Sequence, residues 1–173
     1  RLLEIPAGMM NSIGLTNPGI EKLDIEPFKD IKTNIIASIA VLDENEISVF
    51  KKVSIEKNIN IIELNLSCPN IKGKKVITDL IEIKELLLAV RKELDGITIF
   101  PKLSYDQVNE PNIKLLEGIG FDGLTLMNTI SGMEIDIEKE QFYFENKSAG
   151  MSGRFLLPIG LKTIYTVRKW TSI

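Results

Sequence analysis

Residues 63–70, with the sequence Glu-Leu-Asn-Leu-Ser-Cys-Pro-Asn, are the segment of this chain best equipped for chemistry. They place Asn65, Asn70 and a serine around Cys68, the only cysteine present. An asparagine amide offers both a donor and an acceptor, which suits a flat ring with alternating C=O and N–H groups. A cysteine whose pKa is lowered acts as a nucleophile or as a base. The alternative is that Cys68 is a small buried apolar residue and that the asparagines stabilise a turn.

The chain has no histidine among its 173 residues, and this absence narrows the reactions that it could catalyse. Ser-His-Asp and Cys-His catalysis are excluded within this sequence, and the commonest metal ligand is missing, so we expect no metal site. Proton transfer would have to use Cys, Lys, Asp, Glu or Tyr. A single cysteine also excludes an internal disulfide framework and fits a reducing cytoplasm.

The net charge of −3 gives no basic surface that favours nucleic acid or an anionic membrane. No apolar run approaches the ~20 residues that a membrane span needs. The first residues lack a basic stretch followed by an apolar one, so they do not resemble a secretory signal. We therefore expect a cytoplasmic protein that binds neither nucleic acid nor membranes.

Apolar, β-branched segments alternate with segments of helical periodicity along the chain. The predicted strands are Ile35–Ala40, Ile61–Leu66, Ile97–Leu103 and Phe121–Asn128. The predicted helices are Asp43–Lys57, Asp79–Glu93, Asp106–Gly118 and Pro158–Trp170. This order predicts one α/β domain over residues 1–173 with a parallel sheet, either a barrel or an open doubly wound sheet. No Gly-x-Gly-x-x-Gly follows a strand, which disfavours a dinucleotide-binding sheet.

Polar groups recur at the carboxyl ends of these predicted strands, with the exception of Ile35–Ala40. Lys102 ends the third strand and needs a partner, a ligand or solvent, while Asn128 and Thr129 end the fourth. Glycine-containing stretches at 8–19 and 150–153 predict loops whose backbone amides could approach a ring or an anion. Each feature also has an ordinary explanation, such as a solvated lysine or a turn. Together, polar groups that converge on one edge are typical of a ligand site.

Six ordered motifs resemble those of class 1 dihydroorotate dehydrogenases over essentially the whole chain. They are Asn-Ser-Ile-Gly-Leu-x-Asn-Pro-Gly (11–19), Glu-Leu-Asn-Leu-Ser-Cys-Pro-Asn (63–70), Pro-Lys-Leu-Ser (101–104), Asp-Gly-Leu-Thr-Leu-Met-Asn-Thr (122–129), Gly-Met-Glu-Ile-Asp (132–136) and Gly-Met-Ser-Gly (150–153). The motifs at 132–136 and 150–153 are more similar to the NAD-linked subclass, 1B, than to the fumarate-linked one.

The resemblance implies a (β/α)₈ TIM barrel, of which this chain would hold the central part, about four β/α units. It also implies an FMN enzyme of pyrimidine biosynthesis that oxidises dihydroorotate to orotate. A base, implied to be Cys68, removes a proton from carbon 5 while hydride leaves carbon 6 for the flavin. The implied substrate-binding residues are Asn11, Ser12, Ile13, Gly14, Leu15, Asn65, Asn70, Asn128 and Thr129. The implied flavin-binding residues are Ser38, Asn65, Lys102, Met127 and Gly153, with Lys102 stabilising charge on the reduced ring.

The implied partners are an FAD- and iron–sulfur-containing electron-transfer subunit and a second copy of the parent enzyme in a homodimer. Two local departures from the family pattern stand out: Ser38 occupies a position where the family shows Asn, and residues 72–76 replace a glycine-rich stretch. The family's outer strands, including its phosphate-binding loops, have no counterpart here. We therefore expect a fragment that binds FMN poorly by itself. The alternatives are a related flavin barrel that acts on dihydropyrimidines, or an inactive fragment that serves as an interaction scaffold.

Overall fold

The computed structural model of the chain describes residues 2–14, 16–28, 30–40, 44–67 and 77–173. Three of the predicted site residues, Leu15, Cys68 and Asn70, lie outside these ranges. Within the described ranges, no helix has both the length and the apolar character that crossing a membrane requires.

Short strands and four α-helices make up the described part of the chain. The strands are β1 (Leu2–Ile5), β2 (Gly8–Asn11), β3 (Ala37–Ile39), β4 (Ile61–Asn65), β5 (Thr98–Leu103), β6 (Thr125–Leu126), β7 (Ile130–Gly132), β8 (Ile135–Asp136), β9 (Gln141–Phe142) and β10 (Ala149–Gly153). The helices are α1 (Glu44–Glu56), α2 (Lys84–Glu93), α3 (Glu110–Ile119) and α4 (Leu156–Val167). Single 3₁₀ turns cover Ile20–Lys22, Glu26–Phe28, Leu80–Ile83 and Tyr105–Gln107.

Strands β3, β4, β5 and β6 form a parallel sheet in that order, and α1, α2 and α3 connect successive strands. One face of the sheet packs against the helices. Its buried side chains, which share a core cluster with residues of α1, α2 and α3, are Ile62, Leu64, Ile99 and Leu103. Each such buried side chain contributes about 1.5–3 kcal/mol of stability. Because side chains alternate along a strand, Glu63, Asn65 and Lys102 project from the opposite face, where they are partly exposed.

The start of α3 differs from the prediction, which began this helix at Asp106. Residues Tyr105–Gln107 form a separate 3₁₀ turn, and α3 begins at Glu110. Asn109 caps α3, since its side-chain oxygen accepts a hydrogen bond from the Asn112 backbone N–H at 2.9 Å. The helical periodicity of this region is real, but the cap residue sets the point at which the helix begins. The last helix, predicted over Pro158–Trp170, covers Leu156–Val167.

The predicted strand Phe121–Asn128 is regular only over Thr125–Leu126. The chain still runs beside β5, because the Asp122 N–H donates to the Ile99 carbonyl (3.2 Å) and the Asn128 N–H donates to the Leu103 carbonyl (2.9 Å). The ladder is interrupted at its start, where the Asp122 side chain accepts the backbone N–H of Ile99 at 2.8 Å. The apolar pattern therefore located the strand but overestimated its length.

A second sheet was missed by the sequence analysis, which predicted loops over residues 8–19 and 150–153. Strands β1, β2, β10 and β7 form an antiparallel sheet in that order, and β8 pairs with β9. Gly8 permits close packing of β2 on β10, since a Cβ there would lie 2.2 Å from the Ser152 carbonyl oxygen. Glycine indicates a turn in a local pattern, whereas here it serves a contact between residues distant in sequence.

Candidate active site

A chain of amide and hydroxyl groups links the carboxyl ends of β4 and β6. The Asn65 side-chain oxygen accepts hydrogen bonds from the backbone N–H (3.1 Å) and the hydroxyl of Ser67. The Ser67 hydroxyl oxygen in turn accepts from the side-chain amide of Asn128. Asn128 is itself oriented, because its side-chain oxygen accepts the Thr129 N–H at 2.8 Å. The two amide planes are therefore fixed through one serine.

The side-chain NH₂ of Asn65 donates to no described residue, although the Asn65 oxygen is fully used. Asn65 is partly buried at the end of β4, on the face of the sheet that carries no helices. A partly buried amide with an available donor is suited to a carbonyl oxygen of a ligand. The local geometry thus prepares this group for recognition.

Lys102 lies beside Asn65, since the parallel register pairs the two residues across β4 and β5. Its ammonium group is 3.2 Å from the Glu63 Oε1 atom, and the two side chains are 25% and 18% exposed. The Ser38 hydroxyl donates to the same carboxylate oxygen at 2.9 Å. Partly buried charges require such pairing. Of the partners that the sequence analysis considered for Lys102, the structure provides a carboxylate, that of Glu63. The Ser38 hydroxyl is therefore committed to Glu63.

The antiparallel sheet contacts the carboxyl end of the parallel sheet at Thr129. A Cβ at Gly150 would lie 2.2 Å from the Thr129 Oγ1 atom, so only glycine allows β10 to pass this close. The Gly150 carbonyl accepts a weak hydrogen bond from the Asn11 side-chain amide at 3.4 Å. Contiguous contacts therefore run from Asn11 through Gly150 to Thr129 and Asn128.

The other predicted residues have different surroundings. Ser12 accepts a hydrogen bond from the Asn146 amide at 3.3 Å, and Ile13 and Gly14 are exposed. Gly153 lies three residues beyond Gly150 on β10, packed against the Ala7 carbonyl of the β1–β2 turn. Met127 is half-buried directly before Asn128. The structure thus brings together Asn11, Asn65, Asn128, Thr129, Lys102 and Ser38, while Ser12, Ile13, Gly14, Met127 and Gly153 make none of these contacts.

Two residues of this edge received no role in the sequence analysis. Glu63 and Ser67 stand inside the motif at 63–70, yet attention went to its amides and its thiol. Period-two alternation places Glu63 on the same face as Asn65, so the sequence carried a signal for Glu63. The bridging role of Ser67 depends on the distant Asn128, and no local pattern indicates it.

Comparison with known proteins gives consistent matches. A family model described as dihydroorotate dehydrogenase matches residues 1–173. The chain is 36% identical over 179 residues to the catalytic subunit of dihydroorotate dehydrogenase B (NAD(+)) from Geobacillus sp. (strain WCH70), with 100% of this chain and 57% of that protein covered. The corresponding protein of Bacillus cytotoxicus is 35% identical, with 58% of its length covered. The chain therefore spans less than two thirds of the length of these relatives.

Proposed function

The chain belongs to the dihydroorotate dehydrogenase family, and on that premise we propose that it supplies the substrate-binding edge of an FMN-dependent enzyme that oxidises dihydroorotate to orotate. The family fold is a (β/α)₈ barrel, and the four parallel strands with their connecting helices are part of such a barrel. The observation that carries the proposal is the Asn65–Ser67–Asn128 hydrogen-bond chain at the carboxyl edge of the sheet. Active sites of these barrels lie at that edge.

The substrate would be held by the side chains that converge on this edge. Its ring carries carbonyl and N–H groups in alternation, and Asn65, Asn128 and Asn11 offer matching donors and acceptors. Asn70, Leu15 and the Ser12–Gly14 backbone remain predicted contacts. Each hydrogen bond contributes about 0.5–1.5 kcal/mol net, and amides already oriented by Ser67 and Thr129 lose little freedom on binding.

The polar face of the sheet fits a flavin ring. Asn65, Lys102 and the Ser38–Glu63 pair lie on the face without helices, and their donors and acceptors suit the heteroatom edge of such a ring. Met127 and Gly153 remain predicted contacts. FMN, when bound, supplies a hydride acceptor. Lys102 would stabilise negative charge on that acceptor, and Glu63 would hold the lysine in place.

Cys68 is the proposed base that removes the proton from carbon 5 of the substrate. In the sequence it directly follows Ser67, the residue that links Asn65 and Asn128. A thiolate is a far stronger base than a neutral hydroxyl. No histidine is present in the chain to compete for this role.

Replacing Cys68 tests the proposed function. In the complete protein that carries this chain, Cys68→Ser should lower turnover of dihydroorotate at neutral pH by about 10²–10⁴-fold. Orotate binding, measured by titration calorimetry, should change little, because the amides remain. The residual rate should rise toward high pH, where more of the hydroxyl is ionised. Unchanged turnover at neutral pH would remove Cys68 as the base.

Substrate choice separates this proposal from a related flavin barrel that acts on dihydropyrimidines. The relatives are named dihydroorotate dehydrogenases, which favours dihydroorotate over dihydrouracil. Initial rates of the complete protein with each compound decide between the two. An absence of turnover with both would favour the remaining alternative, an interaction scaffold without activity.

The relatives are named catalytic subunits of an NAD(+)-dependent enzyme, which supports a separate electron-transfer partner. We propose that this partner carries FAD and an iron–sulfur cluster, that NAD is the final acceptor, and that the parent enzyme forms a homodimer in the cytoplasm. Co-expression with such a subunit, followed by assay of NAD reduction and by light scattering, tests these points.

A further inference from the structure

Gln107 is a fully buried amide beside the proposed active site, in the 3₁₀ turn that follows β5. Its side-chain NH₂ donates to two backbone carbonyls, those of Leu66 (2.9 Å) and Ile77 (2.7 Å). Its side-chain oxygen accepts the backbone N–H of Ser104 at 2.8 Å. Both donors and the acceptor are therefore used, and all three partners are main-chain groups.

The two carbonyls that Gln107 joins stand on either side of residues 68–76. Leu66 lies between Asn65 and Ser67, and its own N–H donates to the Lys102 carbonyl at 3.0 Å. The Leu66 residue is thus held from both sides, by β5 through its N–H and by Gln107 through its C=O. Ile77 is the first described residue after the segment that contains Cys68.

Asn112, at the start of α3, reinforces the same arrangement. Its NH₂ group donates to the carbonyls of Thr78 (2.8 Å) and Gln107 (2.9 Å), and its oxygen accepts the Leu80 N–H at 3.0 Å. Asn112 is 1% exposed, so this bonding is also internal. Two buried amides therefore fasten the chain just before and just after residues 68–76 to the start of α3.

A role limited to packing does not account for this choice of residue. An apolar side chain would fill the same space without placing a polar group in the interior. An amide is required only where carbonyls from two separate stretches of chain must be held at a fixed separation. The first of these stretches adjoins residues of the proposed reaction, since Leu66 precedes Ser67 and Cys68.

We propose that Gln107 is a positioning residue for the proposed reaction: by fixing the Leu66 and Ile77 carbonyls, it sets the placement of Ser67. Ser67 orients the amides of Asn65 and Asn128 and directly precedes Cys68 in the sequence. The expected loss in kcat rests on the proposed function, whereas the expected change in the alkylation rate of Cys68 does not. Gln107 touches no reacting atom in this scheme and acts through the backbone alone.

The structural consequence is testable without turnover, because the reactivity of Cys68 reports on the chain next to Ser67. The rate at which iodoacetamide alkylates Cys68 in the native complete protein is followed by mass spectrometry of the peptide that carries it. Gln107→Leu removes both donors and should change this rate by about fivefold or more, since the flanking carbonyls lose their anchor. Gln107→Asn keeps an amide that is too short to span both carbonyls, and it should act in the same direction.

Core variants remote from this region provide the matched control. Ile99 is 0% exposed near the start of β5, at the opposite end of this strand from Gln107. Ile99→Val and Ile99→Ala should lower the melting temperature by graded amounts while leaving the carboxyl edge unchanged. The control whose melting temperature matches that of the Gln107 variant should keep the parental alkylation rate. If the Leu variant fails to fold, the Asn variant carries the test.

The kinetic consequence is a loss in kcat. Misplacement of a catalytic group by about 1 Å lowers the rate by up to ~10²-fold, so kcat should fall about 10-fold or more with a smaller change in KM. Alkylation and kcat that both equal those of the matched Ile99 control would overturn the proposal. If the parental protein fails to oxidise dihydroorotate, the proposed function falls, while the alkylation rates still decide the role of Gln107.

Discussion

The two ends of the parallel strands, called here the amino-terminal and the carboxyl edge of the sheet, both carry charged and polar side chains. The hydrogen-bond partners of these side chains differ between the two edges. At the amino-terminal edge, the Arg91 guanidinium donates to the carbonyls of Ile97 (3.2 Å) and Leu94 (3.0 Å) and to Asp122 (3.0 Å). Asp122 also accepts the Ile99 N–H. At the carboxyl edge, Asn65, Ser67 and Asn128 bond mainly to one another.

This difference separates polar groups that stabilise the fold from those that we propose to bind a ligand. Bonds to main-chain groups at the amino-terminal edge satisfy an N–H of β5 and two C=O groups of the turn that precedes it, so they belong to the fold. Bonds between side chains at the other edge orient those side chains and leave donor capacity open, as at Asn65. Substitutions at the two edges should therefore affect stability and activity in opposite proportions.

Among the substitutions that test this comparison, the largest expected effect is on activity at the carboxyl edge. Lys102→Met combined with Glu63→Gln removes the cation without leaving an unpaired carboxylate, and turnover should fall by about 10²-fold relative to Glu63→Gln alone. The melting temperatures of the two variants should lie close together, because the remaining polar groups are partly exposed. Steady-state kinetics and calorimetry on the complete protein measure both quantities. If turnover of the double variant stays within about threefold of that of Glu63→Gln, the lysine has no part in the reaction.

The opposite result is expected at the amino-terminal edge. Asp122→Ala leaves the buried Ile99 N–H without its acceptor and Arg91 without its counterion, so the free energy of unfolding should fall by about 1–3 kcal/mol. Denaturant titration measures this loss, and kcat per folded molecule should stay at the parental value. Asp122→Asn keeps one acceptor oxygen and should retain part of the stability. A fall in kcat without loss of stability would contradict the division between the edges.

The sequence predicted the features that depend on local interactions and missed those that depend on contacts between distant residues. The parallel strands, the helices between them and the polar residues at the strand ends follow from local periodicity and from the βαβ order. The clustering of Asn65, Lys102 and Asn128 at one edge follows from the parallel arrangement alone. Their roles came from the family resemblance and remain predictions.

Features that depend on long-range contacts were not predicted. Strands β2 and β10 pair across more than a hundred residues, and their glycines suggested loops when viewed locally. Gln107 lies in a stretch with helical periodicity, where a polar residue usually faces solvent, yet it is buried between two carbonyls. Neither feature could be predicted without knowing which distant backbone atoms would lie nearby.

The smallest expected effect concerns Glu117, near the end of α3, which fastens the last residues of the chain. The Thr171 hydroxyl donates to its carboxylate at 2.7 Å, Lys114 lies 3.0 Å from it, and the Ser172 N–H donates at 3.2 Å. These contacts, with the Thr171 bond first, lower the pKa of Glu117 from 4.5 to about 2. As the pH falls from 4.5 toward 2, the unfolded chain binds the proton before the folded one, so this contribution to stability is present above pH 4.5 and is lost on acidification.

Glu117→Gln removes the titrating group while keeping an acceptor for Thr171. The parental protein should melt at a higher temperature than this variant at neutral pH, and the difference should shrink as the pH falls from 4.5 toward 2. The difference should be small because the carboxylate is accessible to solvent and salt. Thermal melts across this pH range measure it, with Glu93→Gln as the control for loss of a single exposed ion pair. The kcat should be the same in Glu117→Gln and Glu93→Gln as in the parental protein, because neither side chain belongs to the carboxyl edge. A melting-temperature difference that is constant with pH would mean that the Glu117 carboxylate is not stabilised in the folded state.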